Sequence, residues 1–102
     1  MVKKKQALHA DEGKPPLSWV TRSFLRGVAY VLKFGSKKYA KNNWKLGTNW
    51  TYYIDSAMRH ITDWKEGEDL DKESGINHLY HAATNLMFVA EYQEKGIGTD
   101  DR

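Results

Sequence analysis

WTYYIDSAMRHITDWKEGEDLDKESGINHLYHAATNLMFVAEYQEK, residues 50–95, decides the fold. Its first part places Trp50, Tyr53, Ile54, Ala57, Met58, Ile61 and Trp64 at helical intervals. Its last part does the same with Ile76, Leu79, Ala83, Leu86, Met87 and Ala90. Apolar residues recurring every three or four positions mark an amphipathic helix. The spacing predicts one helix from Trp50 to about Trp64, capped by Thr48 or Asn49. It predicts another from near Asp71 to Lys95, with Glu73 in the first turn and Gly96 as the stop. The charged stretch KEGEDLDK, residues 65–72, joins them around Gly67.

Upstream, Val20, Phe24, Val28 and Val31 continue the pattern from Trp19 to about Phe34. Ser18 is the expected N-cap after the stiff Pro15-Pro16 pair. Gly27 threatens a break, Gly35 an end, and Ser36–Ala40 reads as a separate short helical piece. Residues 41–49, KNNWKLGTN, form a polar connection. No alternation of period two lasts long enough for a sheet. The expected fold is all-α: three main helices plus a short helical piece, completing a helical bundle by homodimerisation. Residues 1–13 read as a flexible tail, 14–95 as one all-α domain and 96–102 as a second tail.

The totals narrow the class. The chain has 102 residues, no cysteine and a formal charge of +3. Disulfide frameworks and thiolate metal sites are therefore out. No apolar run approaches the ~18 residues of a membrane span, and the N-terminus lacks the apolar core of a secretory signal. A cytoplasmic protein is expected. The basic cluster of Lys33, Lys37, Lys38, Lys41 and Lys45 suits a solvated helix face, a phosphate site or a nucleic acid.

Residues 59–85 gather three of the four histidines and six of the thirteen acidic residues. Asp55, Arg59 and Asp63 share one helix stripe and read first as an ion-pair ladder. His60 borders the apolar stripe of the same helix. His78, His81 and Asn85, at i, i+3 and i+7, share a face of the next one. Partly buried polar groups need partners. A metal, a phosphate, a base or the facing Arg59 and His60 can serve. Glu68, Asp69 and Asp71, with Glu66, suit a hard cation bridging to phosphate, or simply an acidic loop. The spacing is not that of a calcium-binding EF-hand loop, and the GxxxxGK[ST], GxGxxG and HExxH patterns are absent. Trp44, Trp50, Tyr39, Tyr52 and Tyr53 crowd the first connection beside Lys38, Lys41, Asn42 and Asn43. They can hold a base while the cations hold its phosphates, or pack that connection onto the bundle.

GKPPLSWVTRSFLRGVAYVLKFGSKKYAKNNW and DSAMRHITDWKEGEDLDKESGINHLYHAATNLMFVAEY together resemble a family of phage and bacterial proteins. It is the family of the N-terminal domain of dATP/dGTP diphosphohydrolases. The shared frame is FG–KY–NNW followed by RH–GED–D–ESG–H–H–N, and it covers roughly residues 13–92. Those hydrolases look like relatives of the all-α nucleoside-triphosphate pyrophosphatases, which use Mg²⁺ and cut between the α- and β-phosphates. The resemblance implies a metal-dependent purine (deoxy)nucleoside triphosphate pyrophosphohydrolase. The pyrophosphatases' paired ExxE/ExxD signature is absent, and histidines stand on the last helix where acids are expected. In longer members a C-terminal domain is a second candidate seat for the hydrolysis.

Two readings follow. In the first, Glu68, Asp69 and Asp71 hold Mg²⁺ or Mn²⁺, and His60, His78 and His81 are the catalytic set. Lys38, Asn43, Trp44, Arg59 and Asn85 then bind a purine nucleotide. In the second, the same residues hold a nucleotide signal without cutting it, as a counter-defence protein would in a phage-infected host's cytoplasm. Both expect a homo-oligomer, a dimer or higher, and no membrane. A purely partner-binding helical unit is a third possibility.

Overall fold

The computed structural model describes residues 13–102; the expected tail 1–13 otherwise lies outside the described residues. Three α-helices carry the fold: α1 (Arg22–Lys38), α2 (Trp50–Lys65) and α3 (His78–Lys95). Short 3₁₀ turns at Leu17–Trp19 and Asn43–Leu46 precede α1 and α2. Among the described residues there is no strand, only isolated bridges pairing Asn49 with Thr99 and Leu70 with Asn77. The all-α expectation holds. No helix among these residues is long and apolar enough to cross a membrane.

Helix α1 differs from its expected form at both ends. Val20 and Thr21 are extended, so the chain turns helical only at Arg22. Thr21, not Ser18, is the cap, and its Oγ1 accepts from the Phe24 N–H at 3.3 Å. Neither Gly27 nor Gly35 interrupts the helix; of the separate piece expected at Ser36–Ala40, residues 36–38 are the last turn of α1, and Tyr39 is already extended. Gly27 has a packing reason. A Cβ there would sit 2.4 Å from the Tyr80 ring of α3, so only glycine lets the two helices meet.

Helix α2 spans nearly its predicted length, but Asn49 gives no side-chain cap. The segment after Gly96, expected as a tail, supplies the cap. Thr99 O accepts from the Trp50 N–H at 3.0 Å, and Asp101 Oδ1 from the Thr51 N–H at 3.0 Å. Ile97 O accepts from the Trp50 indole at 2.9 Å. A carboxylate at a helix N-terminus is also where the helix dipole favours it.

Helix α3 starts at His78, seven positions after the expected Asp71. Asp71 does cap, but it caps a turn. Its Oδ2 accepts from the backbone N–H groups of Glu73 and Ser74 at 3.1 and 2.8 Å. Gly75, at φ +72°, then reverses the chain. Asn77 is the true N-cap, its Oδ1 accepting from the Leu79 N–H at 2.8 Å. Gly96, in the left-handed region, closes the helix as predicted.

Contacts pair Tyr53 with Tyr92, Ser56 with Asn85 and His60 with His78, so α2 and α3 run antiparallel. Ala57 and Ala82 are buried between helices, and small side chains let the backbones approach. Tyr92 is wholly buried, and its hydroxyl donates to the Trp44 carbonyl. Burial pushes this phenol up, so it stays a neutral donor. The middle of α3 is unusual in burying His78, His81, Thr84 and Asn85.

Candidate functional site

The buried polar groups of α3 are all satisfied. His78 is 1% exposed, so its ring must find partners inside. Its Nε2 lies 2.7 Å from Glu68 Oε1, and its Nδ1 lies 2.8 Å from His60 Nδ1. A carboxylate only accepts, so His78 Nε2 carries the proton. In neutral His78 the Nδ1 is then a lone pair, and His60 Nδ1–H donates to it. Helix α3 positions His78, α2 positions His60, and Glu68 is delivered by the connection just after α2.

His81 sits one turn further along α3. Its ring stacks on His60 with centroids 4.5 Å apart and planes 8° apart. Its Nε2 lies 2.6 Å from Ser74 Oγ, which also accepts from the Ile76 N–H at 3.1 Å. Burial is the main reason that both His60 and His81 titrate below the ordinary histidine value. Hydrogen bonds from Ser74 keep the Asp71 carboxyl low against its own desolvation, which acts in the opposite direction. His60 and His81 are therefore held toward the neutral form, and Asp71 toward the ionised one.

A cavity of about 900 Å³ opens between the end of α1, the 41–48 connection and the α2–α3 pair. His60, Asp71, His81 and Asn85 form its inner end. Lys38, Lys41, Lys45, Asn43, Tyr39, Trp44 and Tyr52 form its rim. The end of α1 is held to the 71–74 turn by Lys38, whose Nζ lies 2.8 Å from Glu73 Oε1. Asn85 Nδ2 donates to Ser56 Oγ at 3.0 Å.

Most sequence-derived candidates thus meet. Lys38, Asn43, Trp44, His60, Asp71, His81 and Asn85 all line the cavity. Trp44 has one face committed, stacked on Phe88 with centroids 4.6 Å apart. His78 and Glu68 stand behind His60 and do not line the cavity. Arg59 and Asp69 are exposed and lie apart from it. The expected acid trio is therefore split, because the 66–77 connection sends Glu68 to His78, Asp71 to the cavity and Asp69 to an exposed position apart from it. Tyr53, one of the aromatics expected to hold a base, also lines the cavity, whereas the sequence does not single out Ser56, Ser74 and Glu73 for the site. Ser56 stands one turn before His60, and that spacing was the available signal.

Two sets of side chains are placed to share a cation. His60, Asp71 and His78 bring ligand atoms within 4.8 Å of one another, and so do Asp63, Glu68 and His78. Histidine lies at the centre of both.

The residues thus define an all-α domain with a histidine-and-carboxylate cluster at the base of a basic, aromatic cavity. Residues 4–102 match the family model for the N-terminal part of dATP/dGTP diphosphohydrolase, and the chain belongs to that family. A dATP/dGTP diphosphohydrolase of Salmonella phage PMBT28 is 37% identical over 92 residues, covering 90% of this chain and 31% of that protein. The chain thus spans less than a third of that relative's length. No solved structure matches it.

Proposed function

We propose that the cavity binds a purine deoxynucleoside triphosphate and that the domain takes part in its hydrolysis to monophosphate and pyrophosphate. One observation carries this reading: aromatic and cationic groups on the rim share a single cavity with His60, Asp71 and His81 at its base. Tyr39 and Tyr52, each 57% exposed, offer ring surface to a base, although Lys38 Nζ lies over the Tyr39 ring and Tyr52 meets Tyr53 nearly at right angles. Lys41, Lys45 and the Lys38–Glu73 pair face the phosphates. The name of the phage relative supplies the substrate class.

In the reaction, a water oxygen attacks the α-phosphorus and the bond to the bridging oxygen breaks. Pyrophosphate leaves, and the water's proton passes to a base. His81, with Ser74 on its Nε2, is the group we assign to orient that water and take the proton. A divalent cation, when bound, supplies charge neutralisation on the phosphate oxygens. The His60–Asp71–His78 set, with two nitrogen donors and one carboxylate, favours Mn²⁺ over Mg²⁺, which prefers all-oxygen ligands. The test is chromatography of dATP and dGTP incubated with the protein and Mn²⁺, with and without chelator. Chelator-sensitive release of pyrophosphate is the expected result.

A second reading has its own support. Among the described residues, the carboxylates lining the cavity are Asp71 and Glu73, and Glu73 is paired with Lys38. So sparse an acidic set suits a module that holds a nucleotide, as a signal-sequestering protein does, and returns it intact.

The assembly we propose is a homodimer. Ala57, Ala82 and Tyr92 are the wholly buried apolar side chains among the described residues. Trp19, Leu25, Met58, Ile61, Trp64 and Leu86 are all exposed. A core this thin gains most from a second copy laid on the outer faces of the helices. The working compartment in this reading is the cytoplasm of an infected host.

A further inference from the structure

We infer that His60, Asp71 and His78 form a binding site for a borderline transition-metal ion, with Glu68 as the carboxylate that orients His78. The inference deepens the proposed function by naming the metal class, but it needs no nucleotide to be true.

The geometry points to this set in three ways. First, the Nδ1 atoms of His60 and His78 face each other at 2.8 Å, so the two lone-pair directions converge. A single proton now bridges them, and a cation accepted by both rings would take its place. Second, Asp71 brings a ligand atom within 4.8 Å of both. Its Oδ2 is occupied by two backbone N–H groups, while among the described residues Oδ1 accepts no protein hydrogen bond. That leaves one carboxylate oxygen for a ligand, on a side chain already fixed by its own turn. Third, His78 Nε2–H donates to Glu68 at 2.7 Å. A metal-bound histidine characteristically gives its other N–H to a carboxylate, which fixes the tautomer and raises the ring's basicity. Burial of His78 at 1% exposure then holds the ring in place.

The competing set of Asp63, Glu68 and His78 is weaker on the same grounds. There Glu68 is already the hydrogen-bond acceptor of His78 Nε2. Taking it as a ligand beside that nitrogen sacrifices the bond that sets the tautomer. Asp63 is also exposed. The two-imidazole, one-carboxylate set disfavours Mg²⁺ and Ca²⁺. It suits Mn²⁺, Co²⁺ and Zn²⁺, with Mn²⁺ bound more weakly than Co²⁺.

The test is calorimetric titration of metal-free protein with Mg²⁺, Co²⁺ and Zn²⁺ chlorides, no nucleotide present. The expected result is one Co²⁺ or Zn²⁺ per chain, with Mg²⁺ far weaker. His60→Gln removes a ligand on the half-buried side and should abolish the Co²⁺ site. Glu68→Gln, which keeps the side chain's size, should weaken it by roughly 10–100-fold. Asp69→Asn should leave it unchanged. Circular dichroism of each variant confirms the helical fold. Equal affinity for Mg²⁺ and Co²⁺, or Co²⁺ binding intact in folded His60→Gln, would overturn the assignment. Separate titration of dGTP in chelator reads the nucleotide proposal alone, so failure of one is distinguishable from failure of the other.

Discussion

His60 on α2 and His78 on α3 meet Nδ1 to Nδ1 at 2.8 Å, across the antiparallel helix pair. This contact joins the fold to the chemistry. It closes the α2–α3 interface with a polar group, and it links the Glu68–His78 pair, which does not line the cavity, to that cavity through the ring of His60.

Replacing His78 tests the structural half of that statement. His78→Ala leaves His60 and Glu68 without their shared partner and empties a buried position. We expect a loss of about 1–3 kcal/mol from the unsatisfied groups. Urea unfolding followed by circular dichroism measures it. An unchanged midpoint would mean that the pair contributes nothing to stability.

Two glycines of α1 should respond in opposite directions. Gly35 has nothing within 4 Å of its absent Cβ, so Gly35→Ala should stabilise by up to ~1 kcal/mol through helix propensity. Gly27→Ala gains the same propensity but drives a methyl into the Tyr80 ring. Overpacking of this kind costs ~1–3 kcal/mol, so the net change should be a loss. Thermal melts of the two variants decide it, and equal stabilisation by both would contradict the α1–α3 packing.

The cap on α2 carries a pH signature. Hydrogen bonds from Thr51 hold the Asp101 carboxyl below its ordinary value. A depressed folded value means that its contribution is present above the unfolded value and is lost as pH falls through the folded one. Asp101→Ala should therefore lower the melting temperature at neutral pH. The gap from wild type should narrow in the acid range below about pH 4. A gap independent of pH would assign the effect to something other than the carboxylate.

Nucleotide binding should separate the rim from the outer face of α2. Tyr39→Ala removes an exposed ring that lines the cavity and should weaken dGTP binding roughly ten- to hundredfold, as loss of one stacked base contact does. Arg59→Ala, on an exposed residue away from the cavity, should leave binding unchanged. Fluorescence titration checks both, and the reverse pattern would move the site to the other side of α2.

Charge on the exposed apolar face should break the assembly. Trp64 is 41% exposed at the end of α2, beside Ile61. Trp64→Glu should shift a dimer to monomer in sedimentation experiments. A wild-type chain that is monomeric at high concentration would contradict the proposed pairing.

The helical class was legible because three long segments repeat apolar residues at helical spacing. Helix ends at Lys95 and near Trp64 were legible for the same reason, with Gly96 as a clear stop. The start of α3 was not, because Asp71 and Glu73 look like the opening of a helix. The turn they close depends on Gly75 and on Asn77 being a better cap, and both lie inside the apparent helix. The cap on α2 was hidden in another way, since Asp101 is 50 residues from Thr51 and no local pattern joins them. In the site, the histidines were visible as a polar face on an apolar helix. Their roles were not visible, since the pairing of His78 with both Glu68 and His60 depends on where a loop delivers one carboxylate. That delivery also separates Asp69 from its neighbours.

The most direct test of the central claim is equilibrium titration of the wild-type chain and His81→Ala with dATP and dGTP, in the presence of Mn²⁺. The account predicts saturable one-site binding of at least one of these nucleotides to wild type, and a marked loss in His81→Ala with the helical spectrum unchanged. Absence of binding to wild type, or full binding by His81→Ala, would contradict it.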